Sequence, residues 1–190
     1  MAFIETIHER EATGALAEWY TRAGNPDGTV DNVMKVHSLN PDTLRTHFEM
    51  YTAAMHGQSP LSRAEREMVA VTVSRINVCN YCLRHHKAGL VRRLADDRHG
   101  VADALANGRT DGLTDREQAM IDYAMKLTRT PQQMNRSDTD LLRAAGLDDR
   151  AILDLAQCIG YFCYVNRIVT GLGVELGSEK GHPGQWPGFS

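Results

Sequence analysis

The sequence predicts an all-α protein, a helical bundle with a buried C-terminal helix. Apolar residues recur at intervals of three and four through nearly every segment, helix start signals stand ahead of those runs, and period-two alternation is scarce. The best alternating stretch, Met68 to Val73, follows a helix cap, so strands are not expected.

The elements follow in order. Asn40-Pro41 reads as a cap and first helical residue, after which Leu44, Phe48, Tyr51 and Met55 line one face until Gly57. Ser62-x-x-Glu65 and Thr114-x-x-Glu117 are capping boxes, each ahead of an apolar run. The second run closes at Thr130, because Pro131 pushes the residue before it out of helical geometry. Ser137 to Ala145 reads as a short helix stopped by Gly146. From Ala151 to Val169 the apolar residues, among them Ile152, Leu155, Ile159, Phe162 and Val165, wrap almost the whole circumference. A helix of that kind is buried in the centre of a bundle or in a subunit interface. Residues 1–176 are expected to form one all-helical domain, and 177–190, without periodicity, an irregular tail anchored by Trp186.

The 190 residues, 42% hydrophobic and 24% charged, suffice for one sizeable core and exclude a disordered chain. Twenty-one Lys and Arg against 24 Asp and Glu leave a net charge of −3. The densest basic stretch, Arg84 to Arg93, is broken by apolar residues and reads as a solvated helix face, so no nucleic-acid partner is expected. No apolar run approaches the ~20 residues of a membrane span. Met1-Ala2-Phe3-Ile4-Glu5 has no basic segment of the kind that opens a secretory signal, and four Cys are too few for a disulfide scaffold. A cytoplasmic location is expected.

The chemistry lies between Glu67 and His86. Asn77 separates two apolar-periodic runs and reads as a helix break that puts Cys79 in the first turn of a new helix, where free N–H groups favour a thiolate. Cys79 and Cys82 are then one turn apart, within disulfide range. At ~100° per residue, Cys79, Cys82 and His86 share a stripe about 60° wide, while His85 falls off it. His86 is therefore the expected partner of Cys82, accepting its proton, with Glu67 orienting the imidazole. Collinear helices would hold Glu67 ~18 Å from Cys79, so a sharp bend near Asn77 or a neighbouring subunit is required. Zinc is the alternative use of these ligands, although a helical Cys-x-x-Cys without a second ligand cluster fits it poorly. Cys158 and Cys163 point to different helix faces and read as core thiols, and Trp19 as core filling. His37 and His56 could approach the site.

The block from Leu61-Ser62 through Glu67 to Cys79-Asn80-Tyr81-Cys82 and His85-His86 resembles the alkyl hydroperoxidase D-like branch of the carboxymuconolactone decarboxylase superfamily. Its signature is Glu, eleven residues, Cys-x-x-Cys, three residues, His, and Glu67, Cys79, Cys82 and His86 fill it. Ser38 to Pro41, Tyr161-Phe162, Asn166-Arg167 and Gly171 to Val174 are similar to its peroxidase-related subgroup. The resemblance implies an all-helical homo-oligomer that reduces hydrogen peroxide or organic hydroperoxides at the expense of an external dithiol, without metal or organic cofactor. In it Cys82 attacks peroxide, Cys79 resolves, and His86 with Glu67 relays protons. Tyr81 departs from the best-known members, which often carry His there. Two other readings are a redox-sensing oligomeric binding protein without significant turnover, and a decarboxylase or lactone-processing enzyme, a branch that generally lacks the Cys pair.

Overall fold

The computed structural model describes residues 2–176; the tail expected for 177–190 lies outside the described residues. The described residues form nine α-helices and no strand: α1 Gly14–Ala23, α2 Asn32–Lys35, α3 Pro41–Tyr51, α4 Arg63–Ile76, α5 Asn80–Val91, α6 Gly100–Ala106, α7 Asp115–Arg129, α8 Arg136–Ala144 and α9 Asp149–Gly171. The all-α expectation holds.

Helix ends follow local chemistry. Both capping boxes form, Ser62 with Glu65 and Thr114 with Glu117. A third, Asn135 with Asp138, opens α8 one residue ahead of Ser137. Its Asp in place of Glu or Gln hid it in the sequence. Asn40 caps α3 with Pro41 in its first turn, but beyond Tyr51 the helix widens into a π-turn over Thr52–His56. That turn puts Met55 in the core and His56 against the Tyr51 ring, 5.1 Å between centroids.

The axis of the bundle is α4, in which every residue from Glu65 to Ser74 is buried against α5, α6, α7 and α9. Val69, Ala70 and Val73 join a core cluster with Leu155, Ile159 and Phe162 of α9. Met68 and Val71 pack into another with Leu90, Val101, Leu105 and Ile121. A third cluster, under α1 and α3, takes in Trp19 beside Phe48. The C-terminal helix α9 buries its inner face, while Leu153, Gln157, Gly160, Tyr164 and Arg167 form an open stripe on the other side. Within the chain α9 is enclosed on its inner face only, and it is α4 that is buried all round, its ionic residues disguising it.

Those ionic residues are buried because each is bonded, as an enclosed charge must be. Glu65 accepts from the Ser62 backbone and from Arg116 Nε, both at 2.7 Å, and Arg66 donates to the Gly57 carbonyl at 2.9 Å. Glu67 points the other way, toward α5. No helix among the described residues is long and apolar enough to cross a membrane.

Candidate active site

The bend required between Glu67 and the Cys pair is built from three residues. Asn77 caps α4, Val78 takes the left-handed conformation at φ 56°, and Cys79 caps α5. The Cys79 N–H closes on Ser74 O at 2.9 Å and the Val78 N–H on Arg75 O at 3.1 Å, the paired bonds of a Schellman turn. Cys79 thus stands at the cap of α5, one position ahead of the first turn in which the spacing placed it. The turn folds α5 back along α4, so Glu67 meets His86 within one chain and no neighbouring subunit is needed.

Glu67 Oε2 lies 2.7 Å from His86 Nδ1, and Arg93 Nη1 lies 3.6 Å from Oε1. Burial raises the Glu67 pKa, but His86 first, then Arg93 and Arg63, outweigh it and hold the carboxyl below its ordinary value. An ionised carboxylate only accepts, so Nδ1 is the nitrogen that donates to Glu67, and in the neutral ring Nε2 is then the acceptor. The His86 ring is fixed from another side by Phe162, edge-on at 4.7 Å.

The two sulfurs are free thiols, both buried. The Cys82 thiol above all, and then the Cys82 backbone N–H, Thr170 and Asn166, favour a charge on Cys79; against the opposing effect of burial its pKa falls to about 6. Cys82 is pushed well above the usual thiol range by sharing its proton with Cys79 and by burial.

A cavity of about 670 Å³, counting the part open to solvent, lies over these groups. Glu67, Cys82 and His86 line it; Tyr51, Tyr81, Tyr161, Met34 and Val165 supply apolar walls, and Asp31, His85, Arg92 and Arg93 supply polar ones. Its size and lining suit a small organic ligand. No group of three or more His, Cys, Asp or Glu among the described residues is placed to hold a metal ion.

Several of these positions escaped the sequence. Arg84 is exposed as a solvated face requires, but Arg92 and Arg93 of the same basic stretch line the cavity, which corrects that reading. The stripe of Cys82 and His86 continues through Gly89 to Arg93 at helical spacing, a signal that was available. His85, off that stripe, still reaches the cavity because its ring stacks on Tyr81, 4.4 Å between centroids, with Nδ1–H donating to the Tyr81 carbonyl at 2.9 Å. Tyr81 in turn accepts from the Val33 N–H at 3.3 Å, tying α5 to the segment that covers the cavity. His56 lies near Glu67 and Arg93, and burial, then Arg63, lowers its pKa to about 4. His37 stacks on His47 instead, 4.6 Å between centroids. Cys158 is a core thiol, whereas Cys163 is only partly buried.

The model of the carboxymuconolactone decarboxylase family matches residues 41–126. No curated protein matches the chain in sequence. Among solved structures, a peroxidase-related protein of Silicibacter sp. TM1040 is 34% identical over 90% of this chain and 87% of its own, with a TM-score of 0.78. A second, an alkylhydroperoxidase core protein of Ralstonia eutropha JMP134, is 27% identical over 94% of this chain and 93% of its own, at a TM-score of 0.82. The debrominase Bmp8 shares the fold, at 16% identity, 91% coverage of each chain and a TM-score of 0.75. Identity of that extent over nearly the full length of a peroxidase-related protein, with the family pattern spanning α3 to α7, settles the kinship: the chain belongs to the carboxymuconolactone decarboxylase superfamily, in its alkyl hydroperoxidase D-like branch.

Proposed function

We propose that the protein is a thiol-dependent peroxidase that reduces hydrogen peroxide or an organic hydroperoxide and is recharged by an external dithiol. The observation that carries this reading is one cavity lined by Cys82, His86 and Glu67, with His86 hydrogen-bonded to Glu67 and Cys79 adjoining Cys82. His86 Nε2 takes the Cys82 proton, and the Cys82 sulfur attacks the distal peroxide oxygen. The O–O bond breaks, leaving a sulfenic acid on Cys82, and the alkoxide departs as an alcohol with the proton from His86. The Cys79 sulfur, having given up its proton, then attacks Cys82, forming the disulfide and expelling hydroxide, which takes up that proton and leaves as water. An external dithiol reopens the bond by two exchanges and ends as a disulfide itself.

Such a pair works where a dithiol pool is reduced, and the cytoplasm is the compartment this reading gives. A homo-oligomer is part of the same reading: the open side of α9 carries Leu153 and Tyr164, which a second copy would cover, and sedimentation tests it.

The decisive experiment follows dithiol-dependent peroxide consumption by the wild type and by Cys82→Ser. Loss of turnover in the variant is expected, together with a trapped sulfenic acid on Cys82 alone in Cys79→Ser after peroxide. Full turnover by Cys82→Ser would end the proposal. An oligomer that changes size with reduction, without turnover, would favour the redox-sensor reading.

A further inference from the structure

A second cavity, about 540 Å³ counting the part open to solvent, lies between the π-turn and α9 and shares no lining residue with the one over Cys82. Its apolar wall is Met50 with Ala53 and Ala54, the last two carried by the π-turn, a wide form of helix that recurs at functional sites. Its polar wall brings two guanidiniums together from different helices. Arg66 of α4 donates through Nη1 to the Gly57 carbonyl at 2.9 Å, and Arg150 of α9 donates through Nη2 to the next carbonyl, Gln58, at 3.1 Å.

The two are not equally satisfied. Arg150 is exposed and holds the oxygens of Asp154 through Nε at 2.9 and 3.0 Å. Arg66 is only 5% exposed, and its Nε meets no acceptor among the described residues. Burial first, then Arg63, push the Arg66 pKa down, and the two carboxylates that oppose this are engaged elsewhere, Asp154 with Arg150 and Glu65 with Arg116. One carbonyl thus answers a guanidinium with five N–H groups and a full charge, in a place where an unpaired charge is costly. Ser59, on the same wall, accepts from the Leu61 N–H at 3.1 Å, which leaves its hydroxyl hydrogen to donate. The two guanidiniums against Asp154 leave one positive charge over the cavity.

We propose that this cavity is a binding site for a small organic monocarboxylate, held by Arg66 and Arg150 with its apolar body against Met50, Ala53 and Ala54. A guanidinium presents its N–H groups as a fork that matches the two oxygens of a carboxylate. One negative charge balances the site, whereas a phosphate dianion or a dicarboxylate would overshoot it. The inference goes beyond the peroxidase reading and does not depend on it.

The test titrates the full-length protein with sodium butyrate and follows the arginine Nε–H signals by NMR. Sodium chloride serves as a probe with the charge and no fork of oxygens, and butanol as one with the body and no charge. The Arg66 signal is expected to shift saturably with butyrate alone, with half-saturation on the order of millimolar for so few atoms. Binding read from the butyrate signals should be lost in Arg66→Met. Arg150→Gln, at an exposed position, keeps its fold even if the first variant does not, and should bind about tenfold more weakly or worse. Arg92→Gln, in the cavity over Cys82, should bind butyrate as the wild type does. The inference is overturned if butyrate produces no saturable shift at Arg66, or if chloride reproduces it. It is equally overturned if Arg92→Gln abolishes binding while Arg150→Gln leaves it intact, which would put the carboxylate over Cys82, or if the Arg66 signal moves with protein concentration and not with butyrate, which would give the site to a second copy of the chain.

Discussion

Glu67 and His86 stand nineteen residues apart in sequence and 2.7 Å apart in space, joined across the two arms of the α4–α5 hairpin. The carboxylate comes from the most deeply packed helix of the protein and the imidazole from the wall of its cavity. That arrangement pins by its Nδ1 a ring that lines the cavity together with Cys82, with Arg93 balancing the charge of Glu67.

Replacing Glu67 with Gln tests what this pair contributes. The amide retains the shape and loses the charge, so the tautomer of His86 is no longer imposed. Peroxide turnover should fall by about 10²–10⁴, the usual worth of a positioned acid–base group. Arg93 then lacks its buried counter-charge, and unfolding in urea should show a loss of about 3 kcal/mol. Unchanged kcat/KM would remove Glu67 from the relay.

Gly89 offers a way to disturb the same carboxylate with little cost to the fold. A Cβ added there would stand 3.0 Å from Cδ and both oxygens of Glu67. Gly89→Ala gains ~1 kcal/mol of helix propensity, which offsets much of the crowding. Stability should therefore change by less than about 1 kcal/mol while turnover drops several-fold. A variant as active as the wild type would show that Glu67 can shift without consequence.

Much of this architecture was legible in the residues, and the exceptions share a cause. Caps and proline stops act within four or five positions, so the ends of α3, α4 and α7 could be read directly. Spacing put Cys79, Cys82 and His86 on one helical stripe, whereas Glu67, ~18 Å away on collinear helices, was expected at the site from the family resemblance. What escaped depends on neighbours distant in sequence: α4 as the buried axis, because Glu65, Arg66 and Glu67 look like surface residues until Arg116, Gly57 and His86 are brought to them. The two bonds of Asn166, to Asn77 and Ser74, escaped for the same reason, since they exist only once α9 lies against the turn.

Stability of the reduced protein should depend on pH through Cys79. Its folded pKa, about 6, is below the ordinary ~8.5 of an unfolded thiol, so the unfolded chain binds more protons between these values. The thiolate's contribution is complete above the unfolded value and is lost as pH falls toward and through 6. The slope in that window is at most ~1.4 kcal/mol per pH unit, one proton's worth. Denaturant midpoints across the window should rise with pH in the wild type, and a flatter profile is expected of Cys79→Ser. Parallel profiles for the two would show that the charge resides elsewhere.

Val78 presents the opposite case, a residue whose conformation opposes its chemistry. It holds φ 56° although β-branched, and its side chain is 73% exposed, so little packing compensates for the strain. Left-handed backbone costs an L-residue about 1–2 kcal/mol, and glycine, which escapes that penalty, loses about 0.5–1 kcal/mol more entropy on folding. Val78→Gly should accordingly stabilise the protein by up to ~1 kcal/mol, read as a higher urea midpoint at unchanged m-value. The same change frees the turn that aims Cys79 at Cys82, so the disulfide should close more slowly in the variant even as the fold gains. A variant that is less stable than the wild type would mean that the Val78 side chain is covered in solution, and the second copy expected on the open side of α9 would then have to be sought at this turn.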